Sequence, residues 1–338
     1  MVTTVPSPSH GRIVHSRFRP HPLLRNRHVQ TVFPSLLRPL PKLNLRRERI
    51  ELPDGDFVDL GWAGEHNAGG PVAVLVHGLT GGFESKYLRG FARQITRRGW
   101  RVAALQLRGG GPEPNRVPRM YHQGDTADLR HVWALLRQRE PNVVMAAAGW
   151  SLGGNLLLKA LGEEGGQCPI DFAAAVCAPF RLRSCVEHLR QGFARRYQTK
   201  LLRELGEHIV RKQAVAPAPA SVNLQAALNA RDFFEFDDAW TAPLNGFRDA
   251  DDYYSRSECG PYLRHIRRPT LIVHAKDDPF MGADIIPREQ DLAPSVTLEL
   301  PEYGGHVGFI GAGRFGLPDF WLERHLAEYF ANSLTSRT

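Results

Sequence analysis

Between residues 71 and 301 the chain alternates short apolar runs with amphipathic stretches, and that rhythm restricts the fold more than any other feature. PVAVLVHGL (71–79) is almost continuously apolar and bounded by turn residues, as in a strand buried on both faces. Beyond it the pattern predicts a helix over 86–98, a strand over 101–107, a helix over 126–139, a strand over 142–148 and a helix over 152–162. Strand-like FAAAVCAP (172–179), TLIVHA (270–275) and VTLELP (296–301) follow, then a closing helix over 318–332. Strands separated by helices of about 10–15 residues imply a mostly parallel sheet with helices on both faces. Upstream, RIELPDGDFVDLGWAG (49–64) reads as two short strands around an Asp-Gly turn.

The alternation breaks over 181–265, a charged, helix-rich stretch that reads as a cap inserted after the sixth expected strand. Residues 1–47 are rich in Pro, Arg and His with little periodicity and read as an irregular arm packed on the core, leaving 48–338 as one α/β domain. No apolar run is long enough for a transmembrane helix, and the N-terminus lacks the apolar centre of a signal peptide, so a cytoplasmic protein without an integral membrane segment is expected. The net charge is +8, from 43 basic and 35 acidic residues, but the basic residues are scattered and no nucleic-acid motif accompanies them. No nucleic-acid partner is therefore expected. Cys168, Cys177, Cys185 and Cys259 have neither metal-site spacing nor disulfide density, so neither a metal nor a cofactor is expected. The sequence sets no oligomeric state.

One serine stands out. VVMAAAGWSLGGN (143–155) places Ser151 between a predicted strand and a predicted helix, flanked by Gly149, Gly153 and Gly154. A serine hydroxyl is a weak nucleophile unless a base takes its proton, a third group holds the base, and donors meet the oxyanion. The strand–turn–helix context is that of a nucleophile elbow, on which the order is serine, acid, histidine. Downstream of the strand at 270–275 only His306 and His325 remain. His325 falls inside the closing helix, whereas His306 lies in the glycine-rich loop PEYGGHVGF, so His306 is the expected base. HAKDDPF (274–280) offers Asp277 and Asp278 at the carboxyl end of a buried strand, where open parallel sheets gather functional groups. Asp278 is favoured, because Pro279 fits a turn that aims it back across the sheet. The backbone N–H groups of Leu79 and Leu152 are the expected oxyanion donors. His77, which precedes Ser151, reads as a loop-shaping residue.

GWSLGGN, HGLTGG, DDPF and GGHVGF in this order resemble the YheT-like and ABHD1/2/3-type branch of the α/β-hydrolases. RPHPLLRNRHVQTVFPSLLR (19–38) is similar to the family's N-terminal arm around an N-x-H-x-Q-T element, and NRVPRMYHQGDTADL (115–129) to its segment before the second sheet helix. The resemblance spans nearly the whole chain. It implies an α/β-hydrolase fold with a helical cap, and it places the nucleophile on Ser151, the acid on Asp277–Asp278 and the histidine on His306. One departure is RGGGPEPN (108–115), where the family usually continues with cysteine, serine and glycine.

The function expected is a serine hydrolase cleaving small-molecule carboxylic esters of short to medium acyl chain. Phe233, Phe234, Phe236 and Trp240 are candidates for lining an acyl pocket or for fixing the cap to the sheet. Acyl transfer to an alcohol uses the same triad, and a hydrolase-like binding module that docks an acidic surface is the reading from a different class.

Overall fold

The computed structural model describes residues 9–65 and 69–336; residues 1–8 of the expected arm, and 66–68 and 337–338, lie outside the described residues. In chain order the elements are β1 (Arg12–His15), α1 (Arg27–Leu36), β2 (Arg46–Glu51), β3 (Phe57–Ala63), β4 (Val72–Val76), α2 (Lys86–Thr96), β5 (Arg101–Gln106), α3 (Thr126–Arg139), β6 (Met145–Trp150), α4 (Leu152–Glu164) and β7 (Phe172–Val176). Helices α5 (Leu182–Leu189), α6 (Ala194–Gln213), α7 (Leu224–Leu228), α8 (Phe233–Phe236), α9 (Ala242–Leu244) and α10 (Ala250–Ser257) follow. The chain then closes with β8 (Thr270–Val273), β9 (Val296–Leu300), the small strands β10 (Ile310–Ala312) and β11 (Pro318–Phe320), and α11 (Trp321–Thr335).

Nine strands form one sheet in the order β1-β9-β8-β7-β6-β4-β5-β3-β2. Only the β2–β3 and β3–β5 pairs are antiparallel. Alternation along each central strand splits its side chains between two cores. Val72, Val74 and Val76 of β4 join one, against Leu129, Trp133 and Leu157 of α3 and α4. Ala73 and Leu75 join the other, against Phe91 of α2 and Phe330 of α11. A strand that is apolar at every position is what two covered faces require.

The arm departs from the expectation. It is not irregular: Arg12–His15 pairs in parallel with β9 as an edge strand, Arg12 opposite Thr297 and His15 opposite Leu300. The signal was weak because an edge strand of four residues needs few apolar positions, and its partner lies some 285 residues downstream. Arg27–Leu36 forms a helix whose N-cap, Asn26, accepts from the N–H groups of His28 and Val29. Strand β6 also begins three residues later than predicted and runs through Trp150, so Ser151 directly follows it.

The segment between β7 and β8 has an apolar cluster of its own, including Leu189, Leu205, Ile209, Phe236, Trp240 and Tyr254. Its return to the sheet is fixed by Asn155, four residues past the serine. The fully buried Asn155 amide donates to Gln123 O (2.8 Å) and Ser257 O (2.9 Å) and accepts from Cys259 N–H (2.8 Å). Behind β5, the buried Arg108 guanidinium pairs with both oxygens of Asp128 and with Asp54 and Asp56, and Asn115 donates to Asp56. The RGGGPEPN loop is thus anchored at both ends by one carboxylate cluster.

Replacing Asn155 with leucine keeps the volume but leaves two carbonyls and one N–H without their partner. At roughly 1–3 kcal/mol for each buried group left unpaired, Asn155→Leu should lower unfolding stability by about 3 kcal/mol or more, measured by urea denaturation. A loss under about 1 kcal/mol would mean that these groups find other partners.

Candidate active site

Ser151 joins β6 to α4 at φ 53°, ψ −120°, a conformation that a residue with a Cβ rarely takes and that costs about 1–3 kcal/mol. Its N–H donates to Val176 O at 2.8 Å. The turn is possible because the chain around it lacks side chains. A Cβ on Gly153 would lie 2.3 Å from Val76 O, and one on Gly149 would lie 2.2 Å from Gly153 O. Helix α4 is therefore drawn against the ends of β4 and β6, and the serine is presented at the carboxyl edge of the sheet.

His306 stands beside it. Its Nε2 lies 2.9 Å from Ser151 Oγ, and its Nδ1 lies 2.8 Å from Asp278 Oδ2. The other Asp278 oxygen accepts from Phe280 N–H at 2.8 Å, and Asp278 is fully buried. Phe280 lays its ring flat on the imidazole, with centroids 4.0 Å apart and planes 6° apart. Of the two aspartates only Asp278 faces the imidazole; Asp277 Oδ1 accepts from Gly305 N–H at 2.9 Å. Burial pushes the Asp277 carboxyl up to about 6, against the Gly305 bond and with help from the Asp278 charge.

Two residues of the arm hold the histidine loop, a role the sequence did not disclose. Thr31 Oγ1 accepts from His306 N–H at 2.9 Å. Gln30, fully buried, donates to Ile310 O and accepts from Ile310 N–H at 2.6 Å. A Cβ on Gly308 would sit 2.0 Å from Gln30 O, so GGHVGF is shaped to lie against α1. The available signal was the arm's N-x-H-x-Q-T element, whose glutamine and threonine are these two residues.

The loop after β4 passes next to the serine: a Cβ on Gly78 would fall 3.2 Å from Ser151 Cβ. Gly78 N–H donates to Tyr87 Oη (2.8 Å) and Thr80 N–H to Tyr121 Oη (2.9 Å). Among the described residues, the N–H groups of Leu79 and Leu152 donate to no protein acceptor, and both residues line the cavity over Ser151. His77 shapes this loop: Nδ1–H donates to Gly78 O, and Nε2 accepts from Leu107 N–H and Gln106 Nε2. Burial pushes its pKa down to about 4, so it stays neutral. His325 lies elsewhere, against Glu299 and stacked on Trp321.

Above Ser151 and His306 lies a cavity of about 880 Å³. Its walls include Val32 of α1, Leu79, and Val186, Leu205, Phe233, Phe236 and Trp240 from the segment between β7 and β8. Phe233, Phe236 and Trp240 thus reach the cavity, whereas Phe234 packs on Tyr254 and under Arg183. Among the described residues, one group of potential metal ligands gathers here: Cys177, Asp278 and His306, with ligand atoms within 4.8 Å of one another. Burial keeps the Cys177 thiol well above its ordinary pKa, and the imidazole Nδ1 is already bonded to Asp278, so this donor set suits a proton relay better than a cation.

A model of the alpha/beta hydrolase fold matches residues 71–312. The chain is 41% identical over 318 residues to the presumptive esterase YheT of Escherichia coli (strain K12), covering 93% of this chain and 92% of that one. It is 30% identical over 295 residues to phospholipase ABHD3 of Homo sapiens, covering 82% and 70%. Among solved structures, the Pyrococcus furiosus esterase PF2001 aligns with a TM-score of 0.55 at 15% identity, covering 86% of this chain and 91% of that one, a likeness of fold. Among the described residues no helix is long and apolar enough to cross a membrane.

Asp237, also on the cavity wall, accepts from Thr241 Oγ1 (2.6 Å) and Tyr254 Oη (2.8 Å). Burial pushes its carboxyl up to about 7, against these two bonds. The folded state therefore holds a proton that the unfolded chain releases from about pH 4 upward. That contribution is full below the unfolded pKa and is lost as pH rises through about 7. Asp237→Asn should raise Tm relative to wild type by roughly 2–4 °C more at pH 8 than at pH 5, read by differential scanning fluorimetry. An equal difference at both values would show that Asp237 titrates alike folded and unfolded.

Proposed function

Since the chain belongs to the YheT-like branch of the α/β-hydrolase fold family and is a carboxylic-ester hydrolase, we propose that Ser151, His306 and Asp278 are its catalytic triad and that it works through an acyl-enzyme. The observation that carries the reading is the unbroken line from Ser151 Oγ through the imidazole to Asp278, with steps of 2.9 and 2.8 Å. Ser151 Oγ attacks the ester carbonyl while its proton passes to His306 Nε2. Asp278 accepts from Nδ1–H, fixing the tautomer and stabilising the imidazolium. Leu79 and Leu152 donate their N–H groups to the oxyanion, in the place where no acceptor among the described residues competes for them. As the C–O bond breaks, the leaving alcohol takes the proton from His306. Water then attacks the acyl carbon with His306 as base, and the acid leaves as the proton returns to Ser151.

Residues 1–47 act as an arm that supports the histidine loop, and 181–265 as a cap over the acyl site. Phe233, Phe236, Trp240 and Leu205 line the cavity with hydrocarbon, and about 880 Å³ is far more than an acetyl group fills. The substrate is thus a small-molecule ester of short to medium acyl chain.

A fluorophosphonate probe should label the wild type and leave Ser151→Ala unlabelled; an unlabelled wild type would sink the triad. Asp278→Asn should lower kcat roughly 10³–10⁴-fold, while Asp277→Asn, away from the imidazole, should cost less than about 10-fold. Across p-nitrophenyl esters, kcat/KM should rise from acetate to medium chains. A flat profile would remove the acyl pocket. Product analysis with added ethanol separates hydrolysis from transfer.

A further inference from the structure

Two side chains of α6, seven residues apart, reach the two halves of the site. Tyr197 packs on Phe280, with ring centroids 4.9 Å apart, and Phe280 stacks on His306. Glu204, two turns further on, accepts from Thr80 Oγ1 at 2.6 Å. Thr80 directly follows Leu79 and carries φ 55°, an outlying value for a β-branched residue. Such strain persists only where the surroundings over-determine it.

Four hydrogen bonds do so here, the first being the turn's own, from Gly81 N–H to Gly78 O at 3.0 Å. Tyr87, on α2, holds the N–H of Gly78; Tyr121, after β5, holds the N–H of Thr80. These two fix the loop from the sheet side and leave the N–H of Leu79 between them. The fourth bond, from Thr80 Oγ1 to Glu204, is the one made by the cap. Glu204 is itself held: Lys200 Nζ donates to its other oxygen. Against the burial that would raise it, the bonds from Lys200 and Thr80 keep this carboxyl below its ordinary range, so it is an ionised acceptor. Helix α6 is also pinned at its C-terminal end, where buried Lys212 Nζ donates to Asn115 O (2.8 Å) and Oδ1 (2.6 Å).

We infer that Glu204 is a positioning residue of the oxyanion loop: through Thr80 it ties the orientation of Leu79 N–H to the seating of cap helix α6. It touches no reacting atom. When α6 lifts from the cavity, Thr80 keeps the bond from its backbone N–H to Tyr121 but loses the acceptor of its hydroxyl, and the loop carrying Leu79 N–H relaxes. The closed cap thereby completes the oxyanion site, so the enzyme is competent only when the cavity wall is in place. This rests on Leu79 N–H being an oxyanion donor.

The experiment compares wild type with Glu204→Leu and Thr80→Val, which remove the bond, and with Glu204→Gln and Thr80→Ser, which keep it. A thermal melt of each identifies variants that fail to fold. The readouts are kcat and KM on a soluble p-nitrophenyl ester, and Ki for a trifluoromethyl ketone of matching chain, whose hemiketal oxygen occupies the oxyanion position. Glu204→Leu and Thr80→Val should each lower kcat by about 10–100-fold and weaken the ketone by a similar factor, with KM within about twofold. The double variant should lose no more than either single one. Glu204→Gln and Thr80→Ser should stay near wild type. A rise in KM with kcat and ketone affinity unchanged would overturn the inference and leave Glu204 as a wall of the cavity. A ketone that binds wild type and Ser151→Ala with equal affinity by isothermal calorimetry, or binds neither, would sink the oxyanion reading beneath it, a result distinguishable because it appears without any change at Glu204.

Discussion

The turn at Ser151 is the constraint from which the rest of the architecture follows. A serine at φ 53° is held there at a cost, and the cost is met by backbone laid on backbone: the first turn of α4 lies so close to the end of β4 that residue 153 has no room for a side chain. That contact needs β4 and β6 adjacent and parallel, in a register that brings Val76 opposite Gly149. The register in turn is fixed by strands whose side chains alternate between two full cores. The hydrophobic patterning of the sheet and the geometry of one hydroxyl are the same fact at two scales.

Around that turn, the imidazole and the loop after β4 are held by groups distant in sequence. The imidazole is carried on a loop supported from the arm, its ring is flattened by Phe280, and Phe280 is touched in turn by Tyr197 of α6. The loop beside the serine is fixed by two tyrosines and one glutamate from three separate segments of the chain. Three of these contacts are hydrogen bonds to backbone N–H groups, and of the others only the Phe280 stack touches a candidate catalytic side chain. They set where a peptide points and leave the chemistry to a few atoms.

The sequence disclosed the parts of this structure that depend on local pattern. The buried strands, the helices flanking them, the elbow and the position of His306 on a loop after the last long strand all follow from periodicity and glycine placement. Of the adjacent aspartates, Asp278 is the one that faces the imidazole, as the following proline suggested. What stayed hidden depends on tertiary pairing. RIVH has too few apolar residues to declare itself a strand, and it becomes one only because β9 offers an edge. The helix over Arg27–Leu36 contains Pro34 and much polar surface, so its period was masked. Phe233, Phe234 and Phe236 look alike in sequence, and only the turn of α8 decides which of them reach the cavity. The bond between Thr80 and Glu204 joins a strand-end loop to an inserted helix, and no spacing rule connects the two.

The support of His306 by Thr31 and Gln30 also has a temporal side. The arm is made well before the groups it holds: Thr31 precedes His306 by 275 residues and Gln30 precedes Ile310 by 280. Strand β1 likewise waits for β9. The candidate site therefore comes together only once the chain has been made through Ile310, and a chain stopped short of that point bears Ser151 without the imidazole beside it. The hydrogen-bonded line from Ser151 to Asp278 is thus a late product of synthesis, whatever else of the sheet has formed before it.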